Sequence, residues 1–440
     1  MDGLLSVGTE LVSESGTKYK VNQFLGAGGQ GEVYEVSAGK KKYALKWYFK
    51  GSATDSQKKI LDKLIEKGSP TRNDDKDMFL WPQDLIYNKS GEPFGYIMEL
   101  RGKEFKGIVD LMKCRTSPSF YTLVKSCYNL TKGYLKLHEQ GYKYRDISFG
   151  NAFFNPVTGD VKICDNDNVV ANATKEGGIK GTPRFMAPEI VRGEARPSRN
   201  TDQFSLAVLL FYMLMVSHPL EGAIEAKIKC MDPAAMKKLY GTDPIFIFDP
   251  DNDTNRPKPG YHDNALLFWD MYPQYIKDLF IQSFTIGLNN PAKRVTENQW
   301  LDALAKLQSG VVKCPSCGAE VFYDPDKPID DHKCWNCKKK VKIGSRIVIG
   351  KGKKQTRIPI NAETKIYSHQ INGDYDMETV IGEVVVNPND PTKWGVRNKT
   401  KENWTYIKAD GTQRIVENEK AATIAPNVKI DFGTVEGSFE

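Results

Sequence analysis

The stretch Tyr144-Arg145-Asp146-Ile147-Ser148-Phe149-Gly150-Asn151 carries an acid and, five residues later, an amide. It follows a long amphipathic helix that the apolar spacing predicts over Phe120 to Glu139. The run Val161 to Ile163 predicts a short strand, and this strand delivers a second carboxylate, Asp165, fourteen residues after Asn151. Carboxylate and amide oxygens are hard ligands of the kind that Mg²⁺ prefers. The order and spacing of these groups therefore predict a magnesium site, and the remaining motifs can be compared with it.

A glycine-rich segment lies far upstream and has the spacing G-x-G-x-x-G-x-V over Gly26 to Val33. Glycines let the backbone approach phosphate oxygens and present amide donors with no Cβ in the way. Strand-like residues follow this loop, whereas a dinucleotide-binding loop would open directly into a helix. Fifteen positions after Gly31, the apolar strand Tyr43 to Leu45 ends in Lys46, whose ammonium can neutralise α- and β-phosphates. The alternatives are a plain hairpin turn and a surface lysine, and the later motifs disfavour both.

Taken together, these segments resemble a bacterial protein kinase of the eukaryotic-like serine/threonine type, over about Tyr19 to Leu307. The resemblance implies ATP as the phosphate donor, Mg²⁺ as the cofactor and a protein hydroxyl as the acceptor. It implies that Asp146 accepts the proton of the attacking hydroxyl, with Lys46, Asn151 and Asp165 completing the catalytic set. Asn151 and Asp165 would bind Mg²⁺, and residues 98–100 would form the gatekeeper and the hinge that holds adenine. The residues that it assigns to nucleotide binding are Gly26, Gly28, Gly31, Val33, Ala44, Lys46, Met98, Glu99, Leu100, Asn151 and Asp165.

Later segments extend the resemblance through the second lobe. The stretch Gly181 to Glu189 (GTPRFMAPE) resembles the kinase segment that ends in A-P-E. Asp202 matches the aspartate that begins the central helix of the large lobe. Arg294 matches the arginine that pairs with the A-P-E glutamate, here Glu189. This element shapes a peptide-docking platform in the family, which disfavours a small molecule as the phosphate acceptor.

Three departures from the family pattern affect the expected activity. The metal-binding motif D-F-G is replaced by Asp165-Asn166-Asp167, which removes the aromatic that packs beneath the helix of the small lobe. Ser148 stands where these kinases usually carry a lysine that contacts the γ-phosphate. Without that lysine, less positive charge stabilises the transition state of phosphoryl transfer. The helix glutamate that should pair with Lys46 is replaced in register by Gln57, while Glu66 lies further along the same helix. We therefore expect either an inactive arrangement or another carboxylate partner for Lys46.

Four of the eight cysteines form a metal-ligand pattern, CxxC-x16-CxxC. Two such turns can place four thiolates around Zn²⁺, and a site filled by sulfur alone has no open position for catalysis. We therefore expect a structural zinc ribbon, with redox or disulfide chemistry as the alternatives and with His332 as an unneeded surface residue. We expect the other four, Cys114, Cys127, Cys164 and Cys230, to be buried free thiols. The expected zinc ligands are Cys314, Cys317, Cys334 and Cys337.

The tail consists of short β-prone runs punctuated by Asn, Asp, Gly and Pro, the pattern of a small all-β sandwich. It resembles a degenerate forkhead-associated domain, a family that reads phosphothreonine with Arg, Ser and Asn side chains. Ser368-His369, the run Val396 to Thr400, Gly411 and Phe432-Gly433 carry this resemblance. No glycine-arginine pair precedes Ser368, so Arg346, Arg357 and Arg397 are only candidates. Docking without phosphate recognition is the alternative.

The bulk composition bounds the remaining possibilities. With 440 residues, 40% hydrophobic and 27% charged, the chain is long enough for two or three folded domains. Its first twenty residues lack a secretory pattern, and no apolar run approaches the length of a membrane span. Together with CxxC thiols, which suit a reducing compartment, this predicts a cytoplasmic protein. The net charge of +7 is mild and concentrates in Lys338 to Lys354, which we expect to be a solvated face; nucleic-acid binding is the lesser possibility.

The expected architecture is α+β: a bilobal kinase fold over residues 1–310, with the small lobe ending near 100 and the large lobe spanning 101–310. A zinc ribbon over 311–345 and a β-sandwich over 346–440 follow. The expected activity is ATP- and magnesium-dependent phosphorylation of protein hydroxyls, and the alternative is a nucleotide-binding pseudokinase scaffold. The whole set of kinase motifs, together with the segments Phe79 to Pro82 and Phe246 to Pro250, is similar to kinases found beside metal-dependent phosphatases and von Willebrand-type proteins in bacterial tellurium-resistance-like gene clusters. That resemblance implies both protein classes as partners, besides a protein substrate.

Overall fold

The computed structural model of the chain describes residues 3–87, 94–174, 181–329, 332–350, 352 and 355–440. Three lysines of the basic stretch, at 351, 353 and 354, lie outside these residues. The chain forms two compact units, the first made of residues 1–268 and 278–301 and the second of 269–277 and 302–440. The segments expected to form the zinc ribbon and the β-rich tail fall in the second unit.

The first unit begins with an antiparallel barrel of six strands in the order β1-β2-β3-β4-β6-β5. The closing contact pairs β1 with β5, so the N-terminal strand removes an open sheet edge. The helix α1 follows β4 and begins at an N-cap, where the Thr54 hydroxyl accepts from the Gln57 amide at 3.2 Å. The elements are β1 (Glu10–Ser13), β2 (Lys18–Ala27), β3 (Gly31–Ala38), β4 (Lys41–Tyr48), α1 (Asp55–Lys67), β5 (Asp84–Tyr87) and β6 (Phe94–Glu99).

Strand β4 sorts its side chains between two faces, because successive residues of a strand point in opposite directions. Ala44 and Tyr48 pack in one apolar cluster with Leu61 of α1, and the apolar residues between them pack in a separate cluster. By this alternation Lys46 lies on the face of Ala44 and Tyr48. Tyr96 of β6 is its direct cross-strand partner. The register therefore sets one lysine and two tyrosines on a single face of the barrel.

The rest of the first unit is mainly helical, with short strands near the catalytic loop. Its elements are β7 (Lys106–Gly107), α2 (Ile108–Met112), α3 (Phe120–Glu139), β8 (Tyr142–Lys143), β9 (Ala152–Phe154), β10 (Val161–Ile163), β11 (Val170–Ala171), α4 (Pro188–Arg192), α5 (Arg199–Met215), α6 (Pro233–Lys237), α7 (Asp263–Met271), α8 (Gln274–Phe284), α9 (Ile286–Asn289) and α10 (Glu297–Ser309). Helices α7, α8 and α10 each have residues in both units. Single 3-10 turns lie at Asn166–Asn168, Pro183–Phe185, Glu225–Lys227 and Pro291–Lys293, and a π-helical turn lies at Lys238–Thr242.

Two predicted helices are confirmed closely. Helix α3 has the predicted bounds, Phe120–Glu139, and α5 begins three residues before the predicted Asp202. Helix α5 is buried on all sides from Thr201 to Met215, which explains why its sequence is apolar nearly all round. Over the described residues, no helix combines the length and the apolar character needed to cross a bilayer.

The second unit begins with a small cysteine-containing module. A hairpin of β12 (Val311–Lys313) and β13 (Glu320–Phe322) precedes the second CxxC turn. Its core contains Cys314, Cys334, Tyr323 and apolar residues from both turns. So small an apolar core is typical of domains that need a metal for stability.

Two antiparallel sheets make up the remainder of the second unit. Their orders are β15-β14-β23-β22-β19-β20 and β16-β17-β18-β21. Side chains of both sheets meet in one apolar core that includes Ile347, Val396 and Trp404. The elements are β14 (Arg346–Ile349), β15 (Thr356–Pro359), β16 (Lys365–Tyr367), α11 (Ser368–Asn372), β17 (Val380–Asn387), β18 (Asp390–Asn398), β19 (Trp404–Ile407), β20 (Gln413–Val416), β21 (Ala421–Thr423), β22 (Lys429–Asp431) and β23 (Glu436–Phe439).

Candidate active site and metal centre

The glycine-rich turn joins β2 to β3, and the Gly28 amide donates to the Gly31 carbonyl at 2.9 Å. Gly31 has no room for a side chain, since a Cβ there would lie 2.2 Å from the Trp47 carbonyl oxygen. Gly26 and Gly28 differ, because a Cβ at either would meet no protein atom within 4 Å. Packing requires glycine at 31, whereas 26 and 28 border open space in which a ligand could approach the backbone.

An apolar cluster lies on the side of the barrel that faces α1. Glu99, at the end of β6, is exposed, and its carboxylate pairs with Lys162 at 2.8 Å. The residues that the resemblance assigned to nucleotide binding and that belong to this cluster are Val33, Ala44, Met98 and Leu100. Apolar lining with a few polar groups at its edge is the usual composition of a small-ligand site.

Lys46 is buried and lies between two carboxylates. Its Nζ is 2.8 Å and 2.9 Å from the two oxygens of Asp167, and 3.5 Å from Asp165 Oδ1. Gln30, in the glycine-rich turn, accepts from the same ammonium at 3.2 Å. Burial alone would lower the pKa of Lys46, but the charges of Asp167 and Asp165 outweigh it and raise that pKa. The lysine is therefore held as a cation beside the predicted metal-binding aspartate.

Asp167 was not among the residues that the sequence singled out for the site. Its side chain is fully buried and accepts from Tyr48 Oη at 2.6 Å and Tyr96 Oη at 3.1 Å, besides Lys46. Burial would raise the pKa of this carboxyl, but the Lys46 charge and these hydrogen bonds lower it. Asp165 is partly open to solvent, and its pKa is raised by burial and by the Asp167 charge, against the effect of Lys46.

The helix α1 supplies no carboxylate to Lys46 in the described structure. Gln57 instead donates to the Asp167 carbonyl at 3.1 Å and to Tyr48 Oη at 3.2 Å. Glu66, the acid that lies further along this helix, is exposed. The partner of Lys46 is therefore the second aspartate of the D-N-D sequence, which answers the question that the sequence left open.

The catalytic loop holds Asp146 by hydrogen bonds from two sides. The Asn151 amide donates to the Asp146 carbonyl at 2.9 Å and to its carboxylate at 3.1 Å. Thr182 donates through its backbone N–H and its hydroxyl to Asp146 Oδ1, both at 2.8 Å. Since the Asn151 nitrogen is engaged in this way, its oxygen is the atom left for a metal. The backbone of Asn151 accepts from the Cys164 amide at 2.9 Å, which brings it next to Asp165.

Backbone strain accompanies these groups. Arg145 and Asp165 both adopt left-handed conformations, with φ of 75° and 54°. Asp202 stabilises the first by accepting from the Tyr144 and Arg145 amides at 2.6 Å and 3.0 Å. The Tyr144 hydroxyl donates to the Cys164 carbonyl, which ties the catalytic loop to the strand that delivers Asp165.

A buried histidine, which sequence reasoning missed, supports Asp202. His138, at the end of α3, lies 3.1 Å from Asp202 Oδ2 and 2.5 Å from Glu297 Oε1. Burial would lower the pKa of His138, but hydrogen bonds to the two carboxylates raise it to about 9. Glu297, which also accepts from Arg199 at 2.8 Å, has its pKa lowered to about 2 despite burial, chiefly by His138. This charged group ties α3, α5 and α10 to the catalytic loop.

The expected pair beyond the catalytic loop is present. Both nitrogens of the Arg294 fork donate to the Glu189 carboxylate at 2.8 Å, and both side chains are buried. The Arg294 Nε also donates to the Gly287 carbonyl at 2.9 Å. A bidentate pair of this kind fixes orientation as well as charge, and here it anchors the A-P-E segment.

The four cysteines of the CxxC turns converge. Their Sγ atoms all lie within 4.8 Å of one another, with Cys314 to Cys337 at 3.7 Å and Cys317 to Cys334 at 3.6 Å. Four sulfurs around Zn²⁺ at about 2.3 Å lie roughly 3.8 Å apart, so the donor set fits tetrahedral zinc and is too open for disulfides. A hydrogen bond from the Ala319 backbone lowers the pKa of Cys317 to about 6, which favours the thiolate that a metal requires.

The two turns are built alike. The amides of Cys314 and Cys334 donate to carbonyls five residues on, at 2.8 Å and 2.9 Å. Each turn then passes through a left-handed residue, Gly318 or Lys338. This repetition of backbone geometry explains how two short segments can present four sulfurs to one point.

Several sequence expectations about single residues were wrong. His332 is buried, not a surface residue: its ring packs against Tyr323, and its Nε2 accepts from the Asp324 amide at 2.9 Å. Cys114 and Cys230 are exposed and Cys164 is only partly buried, so of the four thiols outside the CxxC turns Cys127 alone is buried. Helix faces and loop positions, which composition does not reveal, decide these exposures.

The candidate phosphate-binding groups of the tail already have partners. Ser368 donates to Asp374 at 2.6 Å, and Arg397 pairs with Glu383 at 3.0 Å. Arg346 pairs with Glu440 at 2.7 Å, and Arg357 donates to Gln355 at 2.8 Å. An aspartate beside Ser368 would repel a phosphate. These contacts favour docking without phosphate recognition.

A barrel lobe with a glycine-rich turn and buried lysine, followed by a helical lobe with this catalytic loop, defines the protein kinase class. The protein kinase domain family matches residues 19–303, which is more than half of the chain, and the chain belongs to this family. Among curated relatives, the chain is 23% identical over 329 residues to the protein kinase YegI of Escherichia coli K12, covering 71% of this chain and 48% of that protein.

Two eukaryotic relatives show similar likeness. The chain is 26% identical over 233 residues to a probable serine/threonine-protein kinase, CCRP1, of Zea mays, covering 48% of this chain and 34% of that protein. It is 27% identical over 213 residues to the serine/threonine-protein kinase pkpA of Phycomyces blakesleeanus, covering 44% and 33%. The chain thus spans less than half of the length of each of these relatives.

Proposed function

We propose that the chain is an ATP- and Mg²⁺-dependent kinase that phosphorylates serine or threonine hydroxyls of proteins. The observation that carries this proposal is the convergence of four groups: Lys46 lies 3.5 Å from Asp165, and Asn151 binds Asp146. Asp146 accepts a hydroxyl hydrogen bond from Thr182 at 2.8 Å, which is the contact that a general base must make with an acceptor hydroxyl.

In this proposal Lys46 and the amides of the glycine-rich turn orient the phosphates, and Asp146 takes the proton of the attacking hydroxyl. The Asn151 oxygen and the Asp165 carboxylate would hold Mg²⁺, which when bound supplies positive charge to the phosphates. The apolar cluster around Ala44 and Met98 would take adenine. The A-P-E segment, anchored by Glu189 and Arg294, would dock the protein substrate.

A second candidate is a nucleotide-binding pseudokinase, and one observation favours it. Ser148 is buried where the family usually carries a lysine, so the positive charge at the γ-phosphate is reduced. Both candidates bind nucleotide, and they differ only in transfer.

Transfer from radiolabelled ATP, with Mg²⁺ and with the protein itself and casein as acceptors, separates the two. We expect labelling by the wild type, loss of at least about 100-fold in Asp146→Asn, and none of that loss in the surface control Glu66→Gln. Equal labelling by the wild type and Asp146→Asn would exclude the proposed kinase. Stabilisation by ATP without any labelling would favour the pseudokinase.

For the second unit we propose a structural zinc ribbon over about 311–345 and a β-sandwich over 346–440 that docks partner proteins. Four converging sulfurs support the ribbon, and the shared core of two sheets supports the sandwich. The internal partners of Ser368 and Arg397 favour a docking surface over a phosphopeptide site. Binding of a phosphothreonine peptide library, compared with binding of the same library without phosphate, distinguishes the two: stronger binding of the phosphorylated library would contradict the docking surface. We further propose a phosphatase or a von Willebrand-type protein as the partner. We also propose that the protein is cytoplasmic, because metal-binding thiols suit a reducing compartment.

A further inference from the structure

The ammonium of Lys46 and the carboxylate of Asp167 form the closest ion pair of the site. Both Asp167 oxygens are within 2.9 Å of Nζ, whereas the nearest Asp165 oxygen is at 3.5 Å. Lys46 is 5% exposed and Asp167 is 1% exposed. Opposite charges that are buried this fully interact strongly, and neither can exchange its partner for water.

Both carboxylate oxygens of Asp167 are already occupied by hydrogen bonds. Oδ1 accepts from Lys46 and from Tyr96 at 3.1 Å, and Oδ2 accepts from Lys46 and from Tyr48 at 2.6 Å. Three donor groups thus make four hydrogen bonds to the two oxygens. A metal at this carboxylate would have to displace the lysine or a tyrosine, whereas Asp165 is the more open of the two acids.

Strand register explains why these donors meet here. Lys46 and Tyr48 lie two residues apart on β4, and Tyr96 lies opposite Lys46 on β6, so all three side chains share one face. The left-handed backbone at Asp165 begins the turn that carries Asp167 toward that face. The partner of the lysine therefore comes from the same turn as the predicted metal ligand.

Helix α1 has a different relation to this pair. Its Gln57 contacts the Asp167 carbonyl and the Tyr48 hydroxyl, both through an uncharged amide. The charge that orients Lys46 thus comes from the Asp167 carboxylate, which two neutral tyrosines of the barrel hold in place by hydrogen bonds, whereas α1 contributes only an uncharged amide.

We propose that Asp167 is the positioning residue for Lys46, so that the metal-binding turn, rather than helix α1, sets the orientation of the phosphate-binding lysine. This proposal rests on the proposed kinase function. The Asp165-Asn166-Asp167 turn would then have two roles: Asp165 would bind the metal, and Asp167 orients Lys46. Movement of α1 would then leave the lysine in place, whereas disruption of the turn would remove both groups together.

The test measures the reactivity of Lys46 directly. An acyl-phosphate derivative of ATP acylates a lysine at the phosphate site, and mass spectrometry of the Lys46 peptide gives the rate as a function of pH. In Asp167→Asn the amine loses its closest ionic partner and is no longer held toward the phosphates, so we expect its acylation rate to change by at least about 10-fold across the pH range. We expect Gln57→Ala to keep the wild-type pH profile within about 2-fold, and Glu66→Gln to match the wild type.

Turnover is measured on the same variants. We expect Asp167→Asn to lower kcat by about 100-fold with a smaller change in KM for ATP, because a misplaced lysine acts mainly in the transition state. If the wild type transfers no phosphate, the kinase proposal fails, while the acylation profile still tests the positioning of Lys46.

Two results would overturn the inference: an unchanged Lys46 profile in Asp167→Asn, or a shift in Gln57→Ala as large as in Asp167→Asn. Gln57 is only partly buried and uncharged, so we expect its variant to keep the fold even if Asp167→Asn lowers stability, and its profile alone can decide against the proposal.

Discussion

The His138 group makes stability of the first unit depend on pH in a calculable way. In the folded protein the pKa of His138 is about 9, against an ordinary value of 6.5. A raised pKa stabilises the fold fully below pH 6.5, and this contribution is lost as pH rises through 9. A difference of about 2.5 units corresponds to about 3 kcal/mol, at roughly 1.4 kcal/mol per unit. Glu297, whose pKa is about 2, stays ionised throughout this range and adds no slope.

The perturbation is His138→Gln, which keeps a polar side chain but cannot carry the charge. We expect the variant to be less stable than the wild type by about 3 kcal/mol at pH 6, and we expect that gap to close by pH 9.5. Pulse proteolysis in urea gives the free energy of unfolding, and mapping the fragments by mass spectrometry follows the unit that contains His138 by itself. The matched control is His262→Gln, which alters a histidine outside this group. A gap between wild type and variant that stays constant from pH 6 to 9.5 would refute the assignment of charge to His138.

Three further outcomes follow from other features. Zinc binding should need all four sulfurs, so Cys317→Ser should lower the metal content, measured by mass spectrometry of the native protein, while chelation should lower the melting temperature of the second unit; full retention of zinc would contradict the tetrahedral site. Breaking the buried pair in Glu189→Gln should destabilise the first unit by about 3–5 kcal/mol in urea unfolding, and a loss under 1 kcal/mol would mean that the pair is not a buried anchor. Gly31→Ala should lower the melting temperature, because its Cβ would lie 2.2 Å from a carbonyl oxygen, whereas Gly28→Ala should keep that temperature and weaken binding of ATP by calorimetry; the opposite order would contradict the open space at Gly28.

Local patterns predicted what local interactions determine. Helix α3 could be placed from periodicity because one face is apolar, and the start of α5 could be placed because the family resemblance assigns Asp202 to the beginning of a central helix. The Glu189–Arg294 pair was predicted from the resemblance alone, and the structure confirms it. The spacing of the CxxC turns indicated four converging sulfurs for the same reason that such turns are recognisable at all: each is a short, self-contained backbone motif.

Long-range geometry decided what the sequence could not give. Asp167 becomes the partner of Lys46 through a left-handed turn and a strand register that join residues 121 positions apart. His138 reads as an ordinary helix residue until the fold brings Glu297, 159 positions away, against it. The D-N-D sequence was the one available signal for Asp167, since an acid in place of a glycine in a buried turn must find a cation.

Arg145 and Asp165, the left-handed residues beside the active site, impose backbone strain that glycine would relieve. Glycine would adopt the backbone of Arg145 or Asp165 with less strain, by about 1 kcal/mol at each position. Yet glycine at 165 would remove the carboxylate expected to bind the metal, and glycine at 145 would remove the hydrogen bond from Arg145 to the Asn168 carbonyl. A lineage released from selection for phosphate transfer could therefore gain stability by accepting glycine at 165, because only there does the lost group serve the chemistry. Sequences that have lost the chemistry but kept the fold should carry glycine there.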